Sequence, residues 1–188
     1  IFTKIHGQIT ALRCFFDQTQ IAASTLNREC VFDQCRLQRC QILSSSLEAL
    51  ILKDCIFCDH VFQGCFLRRL QMRRCQAVGC SFLEMMMTSS IYGGNNWNRC
   101  LFKKVNDSYS RHLSGKHIRS TFDNVSSLRS EFIQCEYNKC SRKLHKCQQS
   151  VWDRCVHKDS IWRSVILNDA CVKDVTYDNK DEKCTSVK

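Results

Sequence analysis

From Cys30 onward a small residue recurs at nearly every fifth position, and a large apolar residue follows two positions later. The first set opens Cys30, Cys35, Cys40, Ser45, Leu50, Cys55, His60, Cys65, and the second Phe32, Leu37, Ile42, Leu47, Leu52, Phe57, Phe62, Leu67. The same register runs to Val175 and Tyr177 without an insertion. A period of five matches neither a helix, at about 3.6 residues per turn, nor a flat strand, at about 2. It suits a chain that turns a corner every five residues and stacks its coils, which defines a solenoid.

Of the 30 positions from 32 to 177 in this register, 24 are apolar; the exceptions are Asp107, His112, His117, Ser127, Arg142 and His157. Trp97, Trp152 and Trp162 all fall on this set, with 7 of the 11 phenylalanines. Before residue 30 the pairs Cys14/Phe16, Thr19/Ile21 and Ser24/Leu26 keep the spacing but are offset by one. One extra residue near Asn27–Glu29 therefore predicts a bulge or loosened corner early in the stack.

This pattern resembles the pentapeptide-repeat family. The resemblance covers roughly residues 9–177 and implies an all-β fold, a right-handed quadrilateral β-helix with about 20 residues per coil. The central residue of each five and the residue two before it would point inward, and the other three outward. The chain departs from the family pattern by preferring Cys to Ala at the small inward position.

Residues twenty apart would then stack at about the 4.8 Å spacing of neighbouring strands. One column reads Ile42, Phe62, Phe82, Phe102, Phe122, Arg142, Trp162, an aromatic ladder. Another, Leu47, Leu67, Met87, Asp107, Ser127, Cys147, Leu167, loses its apolar character midway. With His112 and His117, this marks residues 105–130 as the poorest part of the repeat, to be read as a looser coil or as an interruption by a loop.

The chain of 188 residues has no proline, as a structure built on paired backbone N–H groups would favour. No apolar run approaches the roughly 18 residues of a membrane-spanning helix. The start lacks an initiator methionine, and the expectation is a segment of a longer protein. The expected division is an N-terminal cap with the offset repeats at 1–29, the β-helix at 30–177 and a polar exit linker at 178–188.

Of 16 cysteines, 11 lie on the inward small set from Cys30 to Cys155. Cys14 does so in the earlier register, and Cys147 sits at an inward centre; Cys58, Cys171 and Cys184 are off the pattern. Buried free cysteine behaves as a small hydrophobe. The expectation is reduced core thiols and a reducing compartment. Cys55 and Cys58 have zinc-like spacing, but one would point in and the other out, so no metal and no other cofactor is expected. The histidines on inward positions (His60, His112, His117, His145, His157) read as core residues. No nucleophile motif or phosphate loop is present. Catalysis by this segment is not expected.

Function then rests on the outward residues. The net charge is +10. Arg68, Arg69, Arg73 and Arg74 are outward, and beside Arg68 and Arg69 the residues Phe66 and Met86 are also outward, one coil apart. Arg99, Arg119 and Lys139 are twenty apart and should form a basic stripe. These nine residues are the expected partner-binding set, for a protein with an acidic surface. A solvated face that keeps an edge-rich β structure soluble is the plainer reading of the same charge. The charge excludes DNA mimicry, the acidic strategy of quinolone-resistance pentapeptide proteins. Nucleic acid is disfavoured because the aromatics lie in the core rather than among the surface cations, and no membrane partner is expected.

A Cys-rich, basic pentapeptide β-helix is also similar to the amino-terminal domain of bacterial type III secreted effectors of the SopA/NleL kind, which are HECT-like E3 ubiquitin ligases. That resemblance implies a noncatalytic recognition module acting in host cytosol, with the ubiquitin transferase elsewhere in the full chain. No residue of this segment can carry that catalytic role. The alternative is a purely structural spacer or assembly element.

Overall fold

The computed structural model describes the backbone at residues 2–3, 9–22, 25–143, 146–158, 160–168, 171–173, 176–178 and 182–187, and side chains at 9–22, 30–142, 146–157 and 160. His145, and the side chains of Trp162, Leu167, Cys171, Val172, Tyr177 and Cys184, lie outside the described residues.

The described chain is a parallel β-solenoid of four short faces. One coil contains strands Ile56–Cys58, Val61–Gln63, Phe66–Arg68 and Gln71–Arg73. The faces are named here after their inward centres Phe57, Phe62, Leu67 and Met72. Each strand pairs in parallel with its counterparts one coil away; Phe62, for example, registers with Ile42 below and Phe82 above. This is the quadrilateral β-helix that the five-residue period implies.

Most described repeats close on a corner residue with φ near +50°. Arg69, Arg74, Glu84 and Ser89 have φ of 56, 53, 54 and 54°. Only at such a corner can three extended residues be followed by a sharp change of direction. A side chain in this region costs about 1–2 kcal/mol. The neighbouring coil offsets the cost with hydrogen bonds to the corner amides: Arg69 N donates to Thr88 O at 2.9 Å and Arg74 N to Gly93 O at 2.8 Å.

The early offset is a bulge, as the spacing predicts. Leu26 registers with Leu47, twenty-one residues on, whereas Glu29 registers with Ala49, twenty on, and the shift falls between Leu26 and Glu29. There the strands run through the corner as Thr25–Asp33 and Ser46–Lys53. At the other end, Glu182–Val187 runs beside Ile161–Asn168.

The stretch at 105–130 is not looped out. Strands Asn106–Ser108, Arg111–Leu113, Lys116–Ile118, Thr121–Asp123 and Ser126–Leu128 keep the twenty-residue register. Its histidines are absorbed because imidazole is a flat ring. His112 stacks between Tyr92 and Phe132 at 4.5 and 4.6 Å. His117 stacks between Trp97 and Tyr137 at 5.9 and 4.8 Å, and Tyr137 stacks on His157 at 4.7 Å. Phe62, Phe82, Phe102 and Phe122 form a third ladder with centroids 4.9–5.1 Å apart and rings within 11° of parallel. Ring pairs of this kind contribute about 0.5–1.5 kcal/mol each beyond area burial. Arg142 ends that ladder, its guanidinium 4.9 Å from the Phe122 ring and 4.1 Å from Tyr137.

The small inward positions solve a different problem. The Cys55 thiol donates to Phe32 O at 3.2 Å, and Cys65 to Ile42 O at 3.3 Å. Ser110 and Ser130 take the same position, each accepting from the backbone amide one coil below: Ser90 N to Ser110 Oγ and Ser110 N to Ser130 Oγ, at 3.2 and 3.4 Å. A small side chain with a weak donor thus reaches a carbonyl of the coil below, while Leu50, Leu70 and Met85 fill the same position with apolar bulk. The cysteines at residues 30–155 on this set are free and buried, and Cys58 faces outward, half-buried.

Candidate protein-interaction surface

The nine expected surface residues fall into three groups. Phe66 and Met86 are in direct register on the Leu67 face, 41% and 54% exposed. Arg68 ends the same strand, and Arg69 is the corner that follows. These four form one patch. Arg73 and Arg74 end the next face around that corner, and do not share the patch.

Most of these arginines already have acidic neighbours one coil below. Arg69 Nη2 lies 2.6 Å from Glu48 Oε1, with Arg68 Nη1 at 3.9 Å from the same oxygen. Arg74 grips Asp54 with two hydrogen bonds of 2.6 Å, and this holds the Asp54 carboxyl below its ordinary pKa. Arg73 Nη2 donates to Gln71 Oε1 at 3.2 Å. Exposed pairs of this type add little stability, but they lower the charge left for a partner.

The third group differs. Arg99, Arg119 and Lys139 occupy the same corner of three successive coils, with φ of 54, 51 and 53°. Arg99 N donates to Ile118 O at 2.9 Å and Arg119 N to Asn138 O at 2.8 Å, which fixes their stacking. With four corners to a coil, this corner lies diagonally across the solenoid from Arg69. None of the three side chains makes an ion pair among the described residues. Three cations at a strand spacing of about 4.8 Å repel one another and favour an anionic neighbour. Ile118, exposed at 37%, adjoins them on the Phe57 face.

Other exposed apolar side chains escaped the sequence reading: Leu12, Phe15 and Tyr109. Phe15 precedes inward Phe16 in the offset register, so its outward place could have been read there. Tyr109 is a corner residue with Arg129 5.7 Å above its ring.

The interior offers little acid–base chemistry at neutral pH. Burial lowers the pKa of His60 to about 3 and that of His157 to about 2, and lowers His117 strongly as well. Burial likewise raises the Cys65 and Cys140 thiols. No group of three or more His, Cys, Asp or Glu able to hold a metal ion occurs among the described residues. No described helix is long and apolar enough to cross a membrane.

No protein-family model and no curated relative matches this chain. Solved structures do. A trypsin-treated variant of QnrB1, a plasmid-mediated fluoroquinolone resistance protein, is 15% identical, with 93% of this chain and 92% of that chain covered and a TM-score of 0.50. HetL, a pentapeptide repeat protein involved in heterocyst differentiation regulation in the cyanobacterium Nostoc sp. strain PCC 7120, is 12% identical over 90% of this chain and 87% of its own, with a TM-score of 0.43. The strand geometry and the likeness to QnrB1 make the fold that of a pentapeptide-repeat β-helix. This likeness concerns the fold and carries nothing about effector delivery or ubiquitin transfer.

Proposed function

We propose that this β-helix is a noncatalytic protein–protein recognition module whose partner presents an acidic surface. The observation that supports this best is the basic corner of Arg99, Arg119 and Lys139, whose side chains make no ion pair among the described residues. A rigid solenoid fixes the spacing of such a row, so little ordering cost is left for binding. Phe66 and Met86, beside Arg68 and Arg69, provide a second contact region on the far side for a partner that wraps the stack.

The finer reading is that the module belongs to a type III secreted effector of the SopA/NleL kind, with HECT-like E3 ubiquitin ligase activity elsewhere in the full chain. Its support is chemical: inward cysteines in place of alanine, free thiols suited to a reducing host cytosol, and net charge +10. The fluoroquinolone resistance of QnrB1 does not transfer, because a surface of this sign cannot stand in for DNA.

The test is capture from host-cell lysate by the parent beside two variants. One reverses Arg99, Arg119 and Lys139 to Glu; the other reverses Arg68, Arg69, Arg73 and Arg74. A partner lost with the first variant and weakened by added salt supports the proposal. Loss only with the second moves the site to the Leu67 face, and no partner in any arm favours a structural spacer. Ubiquitin enzymes or ligase substrates among the captured proteins would support the finer reading.

A further inference from the structure

Over the strands from Phe15–Asp17 to Glu136–Asn138, one to each coil, the Phe57 face is a single parallel sheet. Among the described residues, four exposed large apolar side chains lie on it, Phe15, Ile56, Val78 and Ile118, while none lies on the Phe62 face. The three strands at its middle, Ile56–Cys58, Gln76–Val78 and Asn96–Asn98, carry no charge. Charge returns one coil below at Arg36, and above at Lys116 and Glu136. Charge depleted from the centre and kept at the rim is the anatomy of a protein interface.

The order of residues along the face points to its occupant. From below, the first outward column reads Arg36, Ile56, Gln76, Asn96, Lys116, Glu136. Laid against its own reverse, the column brings Arg36 onto Glu136, Ile56 under the aliphatic stem of Lys116, and Gln76 onto Asn96. A two-fold axis parallel to the strands, between the coils of Gln76 and Asn96, makes these contacts for both copies at once. The second outward column then sets Cys58 on Ile118 and Val78 on Asn98. Along the adjoining corner Arg119 meets Asp59, and Lys139 meets Arg39, whose charge Asp17 already holds at 2.8 Å. Among the described residues Arg36 makes no ion pair within the chain, and Glu136 pairs with Lys116 alone, at 3.4 Å. The register is selective. Sliding one copy by one coil sets Arg36 against Lys116 in one direction and Glu136 against Ile56 in the other, so the ion pair is lost either way. With strands about 4.8 Å apart and a face about 13 Å wide, the footprint is roughly 450 Å² per copy. That is the small, reversible end of specific interfaces.

We propose that the Phe57 face is a self-association surface, on which a second copy of this chain docks with its solenoid axis reversed and Arg36 of each copy pairs with Glu136 of the other. The inference rests on this face and stands apart from the acidic partner proposed above. Sedimentation velocity of the intact protein from about 1 to about 200 µM tests it. The expected result is a reversible monomer–dimer equilibrium with Kd in the micromolar range. Arg36→Glu and Glu136→Arg should each weaken the dimer roughly tenfold, and the two together should return it to within about threefold of the parent. Cys58, half-buried in the single chain, gives an independent readout. Its labelling by iodoacetamide should slow over the same concentration range, and Arg36→Glu should remove that protection. Because this thiol is native, its protection keeps the test decisive if a variant folds poorly. A protein that stays monomeric at about 200 µM would overturn the proposal. So would a dimer in which Cys58 labels at the monomer's rate, single reversals without effect, or a double exchange that restores nothing.

Discussion

His112 Nε2 lies 2.6 Å from Asp107 Oδ2 inside the solenoid, across one corner of the same coil. Both residues sit where the repeat places large apolar side chains. Asp107 Oδ1 is buried without a hydrogen-bond partner. The carboxylate therefore depends on His112, and breaking a buried pair by removing one member typically costs about 3–5 kcal/mol. His112→Phe preserves the stack between Tyr92 and Phe132 but strands Asp107. It should lower stability by about 3 kcal/mol in urea denaturation. Adding Asp107→Leu, the residue type of Leu47 and Leu67 in the same column, should restore most or all of the loss.

That pair also shows where the sequence reading stops. The period, the inward columns and the bulge near Asn27 follow from spacing alone, because a coil of fixed length tolerates no slippage. Asp107, His112 and His117 looked like a weak region because hydropathy records polarity and not ring shape. In the fold, the flatness of imidazole keeps the ladders continuous. The acid partners of Arg69 and Arg74 were readable in principle, since Glu48 and Asp54 lie about one coil back in the chain. The diagonal separation of Arg99 from Arg69 follows only once four corners are counted.

Acid should destabilise the fold through its buried histidines. His60 and His157 have folded-state pKa values lowered to about 3 and about 2 by burial. The unfolded chain, with an ordinary value near 6.5, takes up protons first. The stabilising effect of keeping these rings neutral is complete above about pH 6.5. It is lost progressively as pH falls toward the folded values. By pH 5 the loss should be about 2 kcal/mol for each residue. Urea midpoints measured from pH 7.5 to 4.5 should fall accordingly. His157→Phe, which keeps the stack on Tyr137, should flatten that limb; an unchanged slope would show that His157 is charged or exposed in the native state.

Thiol labelling should divide the cysteines by position. Among the described residues only Cys14 and Cys58 are not buried. The inward thiols are shielded and hydrogen-bonded to carbonyls, and burial raises the pKa of Cys65 and Cys140. Thiolate is the reactive form. Brief iodoacetamide treatment at pH 7.5 followed by mass spectrometry should modify Cys58 and Cys14 first. Cys55, Cys65, Cys100 and Cys135 should react only after denaturation. Rapid native labelling of Cys55 would contradict its inward orientation.

The corners hold a reserve of stability that can be released. Ser89 adopts φ of 54° with no side-chain hydrogen bond to hold it there, whereas Gly94, five residues on, adopts 62° with no Cβ penalty. The αL region costs an L side chain about 1–2 kcal/mol, and glycine gives back about 0.5–1 kcal/mol of that as extra unfolded-state entropy. Ser89→Gly should therefore stabilise the protein by about 0.5–1 kcal/mol. Gly94→Ala should destabilise it by about 1 kcal/mol, even though the nearest atom to an added Cβ is Arg74 Cγ at 3.8 Å, an ordinary contact. Space is thus available at Gly94 and backbone conformation is the cost, so the two substitutions should shift thermal midpoints in opposite directions. Equal shifts of one sign would mean that side-chain packing, and not φ, governs these corners.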